Sequence, residues 1–232
     1  MEWSKEKLRD LYRQKFCLEL LDIELNGLWK EARIITPLGN QMNVASTPQM
    51  LRTICKTAFQ RSNCSLNHTH FKKINEEISP AIDFALFLKK NGFGEHYILL
   101  SDNPDINLIR KNNYTKRGYK IMAIPLEVTF IKDISLNNIS ESTTAKKIIK
   151  VISKKLMRSY GEHTTLLIVI DTVAESVDLK ELNNLLQETG KNFRYIYIYT
   201  RINNDTYSMI RVYPDLDISD PITTKEFESL IY

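Results

Sequence analysis

Glu127 stands in the middle of the apolar run KIMAIPLEVTFIKD, Lys120 to Asp133. A strand of that composition is at least half buried, and a carboxylate inside it needs a reason. Alternation puts Glu127 and Thr129 on one face, opposite Leu126, Val128 and Phe130. A second acid, Asp83, interrupts the apolar stretch AIDFALFL. Read as a strand, that stretch points Ile82, Phe84, Leu86 and Leu88 one way and Asp83, Ala85 and Phe87 the other. Two strand carboxylates converging on one point repel unless a cation lies between them. Mg²⁺ suits such a pair, because it takes one or two carboxylates and fills the rest of its shell with water and phosphate oxygens. Bound there, it would activate a water for attack on a phosphodiester. The same two acids also fit a purely structural reading, at strand ends or bonded to backbone.

The elements that must position these residues follow from pattern. Leu8, Leu11, Tyr12, Phe16, Leu20 and Ile23 recur at helical spacing over residues 5–24, and Asn26-Gly27 stops them. Thr47-Pro48 opens a second helix and FKKINEEI forms a third, ending before Ser79-Pro80. From there the expected order is β-β-β-α-β-α-β-β. AIDFALFL and EHYILLSD pair as a hairpin across the turn KKNGFG, residues 102–117 form a polar loop, and GYKIMAIPLEVTFI is the third strand. A helix follows, capped at Ser140, with Ala145, Ile148, Ile149, Ile152 and Leu156 as its buried stripe. TTLLIVIDT reads as a strand covered on both faces. DLKELNNLLQETG is a helix capped at Asp178 and stopped at Gly190; FRYIYIYT and TYSMIRVYP are strands, and TTKEFESLIY is a terminal helix. The tyrosines 195, 197 and 199 share a strand face and are expected to pack under helices. The fold class is therefore α/β, a mixed β-sheet flanked by helices with a helical N-terminal extension, divided as residues 1–78 and 79–232.

SPAIDFALF, then PLEVTFI, then a basic helix, then TTLLIVI resembles the PD-(D/E)XK nuclease superfamily, the restriction-endonuclease-like fold. That family carries Pro-Asp on one strand and Glu-x-Lys on a later one, followed by a helix and another core strand. The resemblance covers roughly residues 78–200 and implies Asp83 and Glu127 as ligands of Mg²⁺ or Mn²⁺. Pro80 lies three residues before Asp83 rather than beside it, and Thr129 occupies the lysine position. The lysine migrates in this superfamily, so Lys132, or Lys146 and Lys150 on the following helix, would stand in for it. The implied activity is that of a DNA endonuclease of restriction or defence type. The alternative is a catalytically inactive module of the same fold that binds nucleic acid or a protein partner.

Charge distribution is compatible with either. Arg110, Lys111, Lys116, Arg117 and Lys120 fall in a segment, 106–126, that has no acidic residue and interleaves Tyr114 and Tyr119. Lys146, Lys150, Lys154 and Arg158 recur every four residues, as a nucleic-acid track or a solvated helix face would. Over 232 residues the net charge is only +4, so the distribution matters more than the total. The histidines 68 and 70 read as exposed loop residues rather than metal ligands, and Cys17, Cys55 and Cys64 have neither disulfide nor zinc spacing. With no apolar run long enough for a bilayer and a charged, amphipathic start, the expectation is a cytoplasmic protein without a membrane segment. Cutting both DNA strands would call for a homodimer.

Overall fold

The computed structural model describes residues 45–49, 51–52, 74–100, 105–110, 122–132, 143–158, 160, 163–171, 177–203 and 206–231. The expected helix over 5–24, Cys17, Cys55, Cys64, His68, His70, Lys111, Lys116 and Arg117 lie outside them. The protein is mixed α/β and forms two compact units, one within Met1–Ala123 and the other spanning Ile124–Leu230. Residue 78, the expected end of the helical region, closes a π-helical turn at Ile74–Ile78 that runs directly into the next helix.

In the first unit that helix, α1 (Ser79–Lys90), contains Asp83, so the expected strand there is corrected to a helix. The reason is burial on every side. Pro80 through Leu88 are all buried, and an element apolar all round carries no period that distinguishes helix from strand. Pro80 in the first turn, with no N–H to lose, favours the helix. The hairpin shifts accordingly. β1 (Ala45–Ser46) and β3 (Ile106–Arg110) both pair antiparallel with β2 (His96–Leu100), with His96 opposite Arg110. Residues 106–110, expected as loop, are thus a strand with Ile106, Leu108 and Ile109 buried. Gly92 and Gly94 make the turn from α1 at φ +79° and +82°, where a side chain is strained.

The second unit holds β4 (Met122–Lys132, within this unit from Ile124), α2 (Thr144–Leu156), β5 (Thr165–Asp171), α3 (Leu179–Thr189), β6 (Tyr195–Asn203), β7 (Thr206–Tyr213), the two-residue strands β8 (Asp217–Ile218) and β9 (Ile222–Thr223), and α4 (Thr224–Ile231). β4, β5 and β6 are parallel, β7 adds antiparallel to β6, and β8 and β9 pair with β7. Parallel neighbours require crossover connections, and α2 and α3 supply them. The cap of α2 is Thr143, whose hydroxyl accepts from Lys146 N at 3.3 Å, rather than the expected Ser140. Asp178 caps α3, accepting from Lys180 N and Glu181 N at 3.0 Å. Gly190 closes α3 for want of space rather than for its φ, since a Cβ there would lie 2.8 Å from Leu186 O.

One face of this sheet packs on α2 and α3. Ile131, Leu166, Ile168, Ile170, Ile196, Ile198 and Val212 meet Ala145, Ile148, Ile152 and Leu156 of α2 and Leu182 and Leu186 of α3. The other face carries the tyrosines. Tyr199 stacks on Tyr207 at 5.5 Å, and Tyr207 meets Phe227 of α4 at 6.0 Å, so the terminal helix covers part of that face. Ile152 is fully buried and Lys150 is exposed. Ile152→Ala should therefore lower stability by about 2–5 kcal/mol in chemical denaturation, through lost burial and a residual cavity. Lys150→Ala should change it by no more than about 0.5 kcal/mol.

Candidate functional site around Glu127

Parallel pairing sets Glu127 beside Leu166, at the start of β5. The helix of a parallel crossover runs back against its strands, so the end of α2 lies near the start of β5. Lys155, in the last turn of α2, reaches Glu127 for this reason, whereas Lys146, in the first turn, is about 13 Å further along the helix axis. Glu127 shares its strand face with Thr129 and Ile131, the face that packs on α2.

Glu127 is 3% exposed. A carboxylate taken that far out of water needs a cation and hydrogen-bond donors. Lys155 Nζ donates to Oε1 in an ion pair, and the Tyr160 hydroxyl donates to the same oxygen at 3.0 Å. Arg158 Nη1 donates in turn to the Tyr160 hydroxyl at 3.5 Å. Burial pushes the Tyr160 hydroxyl above its ordinary value of 10.0; the Arg158 bond works against that rise and the Glu127 charge adds to it. Tyr160 is thus a protonated donor at neutral pH. Its ring rests on Phe193 at 5.2 Å, and its carbonyl accepts the Thr164 hydroxyl at 2.8 Å.

Among the described residues no three His, Cys, Asp or Glu side chains gather into a metal-binding group. The Glu127 face does offer one buried carboxylate and, two residues on, the buried Thr129 hydroxyl oxygen, which has no hydrogen-bond partner among the described residues. Mg²⁺ takes as few as one or two carboxylates and fills its shell with water and phosphate oxygens; one such carboxylate stands here, bonded to Lys155 and Tyr160.

The other expected site residues lie on several elements. Asp83, on α1 of the first unit, forms an ion pair with Arg52 instead of standing on a strand. Lys132 is exposed at the end of β4 and faces away from Glu127. Arg110 ends β3 opposite His96, with its guanidinium against Gly94, and so belongs to the hairpin rather than to a loop. Lys146, Lys150, Lys154 and Arg158 lie outside the buried stripe of α2, and Lys150, Lys154 and Arg158 are exposed, as a basic track requires. Lys155 and Tyr160 were not expected at the site. The parallel register was the signal for Lys155; for Tyr160, eleven residues before Asp171 in a segment with no period, the sequence held none.

The chain matches no family model, no curated protein and no solved structure.

Removing Lys155 takes away the cation paired with Glu127 and leaves that charge buried. Because the lysine is 26% exposed, Lys155→Met should cost about 2–3 kcal/mol, less than a fully buried pair would. Adding Glu127→Gln should restore part of that loss, since it removes the stranded charge. Urea titration of the two single variants and the double variant measures both effects.

Proposed function

We propose that this protein is a metal-dependent DNA endonuclease of the PD-(D/E)XK, restriction-endonuclease-like superfamily, acting in restriction or defence. One observation carries the reading: buried Glu127 on β4 receives Lys155 from the end of α2. Strand and helix together then supply the acid and the lysine that Glu-x-Lys supplies from one strand, with Thr129 at the vacated lysine position. The migrated lysine is Lys155 rather than Lys132, Lys146 or Lys150.

Helix α2 and strand β5 follow β4 in the order the family leads one to expect. In this reading Glu127 would be a ligand of Mg²⁺ or Mn²⁺, which would polarise the phosphoryl group and lower the pKa of a bound water. Lys155 would hold the attacking water or a phosphate oxygen by charge. The exposed lysines of α2 would bind the DNA backbone, residues 1–78 would help hold substrate as a helical extension, and a cytoplasmic homodimer would cut both strands.

A second reading, an inactive binding module, draws support from the ion pair itself, since Lys155 neutralises Glu127 without any ligand. Plasmid cleavage in Mg²⁺ or Mn²⁺ separates the two. The nuclease reading expects nicking or linearisation that Glu127→Ala abolishes. Cleavage by Glu127→Ala at the wild-type rate would sink the site, and DNA binding without cleavage would favour the module.

DNA affinity should fall steeply with salt, because each phosphate neutralised by the α2 stripe releases condensed counterions. Replacing Lys150 and Lys154 with alanine should weaken binding to all sequences alike and flatten the log–log salt slope by about one unit for each phosphate no longer neutralised. An unchanged slope would make the stripe an ordinary solvated face.

A further inference from the structure

We propose that Tyr160 is the positioning residue of the Glu127 site and that Arg158 couples it to bound DNA phosphate. The inference rests on the nuclease reading and adds to it a residue outside the motif. Two donors, Lys155 and Tyr160, converge on Oε1 of Glu127, and they differ in kind. Lys155 carries its charge on a flexible stem that is 26% exposed, so it can exchange the carboxylate for a phosphate oxygen or a water. Tyr160 is held at two further points. Its ring lies on Phe193, which is 2% exposed, and its carbonyl is held by the hydroxyl of Thr164, which is 1% exposed. When the lysine moves to substrate, the tyrosine keeps Oε1 in place and the carboxylate plane with it.

Arg158 joins this buried arrangement to the surface. It is exposed, continues the line of Lys146, Lys150 and Lys154 at four-residue spacing, and touches the Tyr160 hydroxyl at 3.5 Å, the long limit of a hydrogen bond. A phosphate oxygen would make the stronger, charge-assisted partner. Phosphate binding would then draw Arg158 outward and leave the tyrosine hydroxyl bonded to Glu127 alone. The last residue of the basic track is thereby also the first residue of the site.

Steady-state cleavage of supercoiled plasmid, with Mn²⁺ binding followed separately by the electron paramagnetic resonance of free Mn²⁺, tests this. Tyr160→Phe keeps the ring on Phe193 and loses only the hydroxyl. It should lower kcat about 10- to 100-fold with KM for DNA unchanged, and should weaken Mn²⁺ binding about 10-fold, as loss of a ligand-orienting partner does. Arg158→Ala should instead raise KM and flatten the salt dependence. If Tyr160→Phe melts early, Thr164→Val, which loosens Tyr160 without removing it, should lower kcat in the same direction by less. Wild-type kcat and Mn²⁺ affinity in Tyr160→Phe would overturn the inference and leave the nuclease reading standing. Wild-type protein that neither cuts nor binds Mn²⁺ would remove the nuclease reading, and this inference with it.

Discussion

The second unit depends on the burial of one charge. Glu127 sits in the central part of β4, on the face that packs against α2, and is almost wholly out of water. An isolated carboxylate there would be too costly to keep ionised. The parallel register answers this by bringing the end of α2 beside it, and the apolar stripe Ala145, Ile148, Ile152 and Leu156 fixes the helix rotation. Lys155 lies just beside that stripe, so its stem follows the apolar surface while its ammonium turns inward to the acid. Packing of the helix and neutralisation of the charge are therefore one constraint, and both tie β4 to the crossover that follows it.

The same helix serves two surfaces. Its inner side is aliphatic, and its outer side carries Lys146, Lys150 and Lys154, with Arg158 just beyond its end. An amphipathic helix of this kind ordinarily just separates core from solvent. Here its C-terminal end also carries the hydrogen-bond chain from Arg158 through Tyr160 to Glu127, so surface charge and buried charge meet within a few residues. That proximity gives the basic stripe a meaning it lacks as a surface pattern alone.

Asp83 shows a different solution to the same problem. It lies on a helix buried on nearly all sides and is matched by Arg52, as a structural acid within its own unit. A buried pair of this sort is weak support for stability and strong insurance against an unpaired charge. Its presence in an apolar run reflects a buried helix and an ion pair rather than a strand position. Glu127 differs in having a tyrosine and a partly exposed lysine on one oxygen. It also shares its strand face with a threonine hydroxyl that has no hydrogen-bond partner among the described residues.

By itself the sequence determined the elements whose period is clear. The stripe of α2, the Asp178 cap of α3, the doubly buried β5 and the strands Tyr195–Asn203 and Thr206–Tyr213 follow from local pattern, because each has one polar side or a distinctive run of β-branched and aromatic residues. It also marked Glu127 as an acid that needs a partner. The tertiary structure decided the rest. α1 has no polar face to betray its period, so local pattern does not separate helix from strand there, and as a helix it takes Asp83 out of the sheet. The short strand β3 looked like a loop because polar segments flank it, and its pairing with β2 is a non-local interaction. The partner of Glu127 was legible in residue type but not in position. A parallel crossover reverses direction, so the lysine nearest in space is Lys155 at the end of the helix and not one of those nearest in sequence.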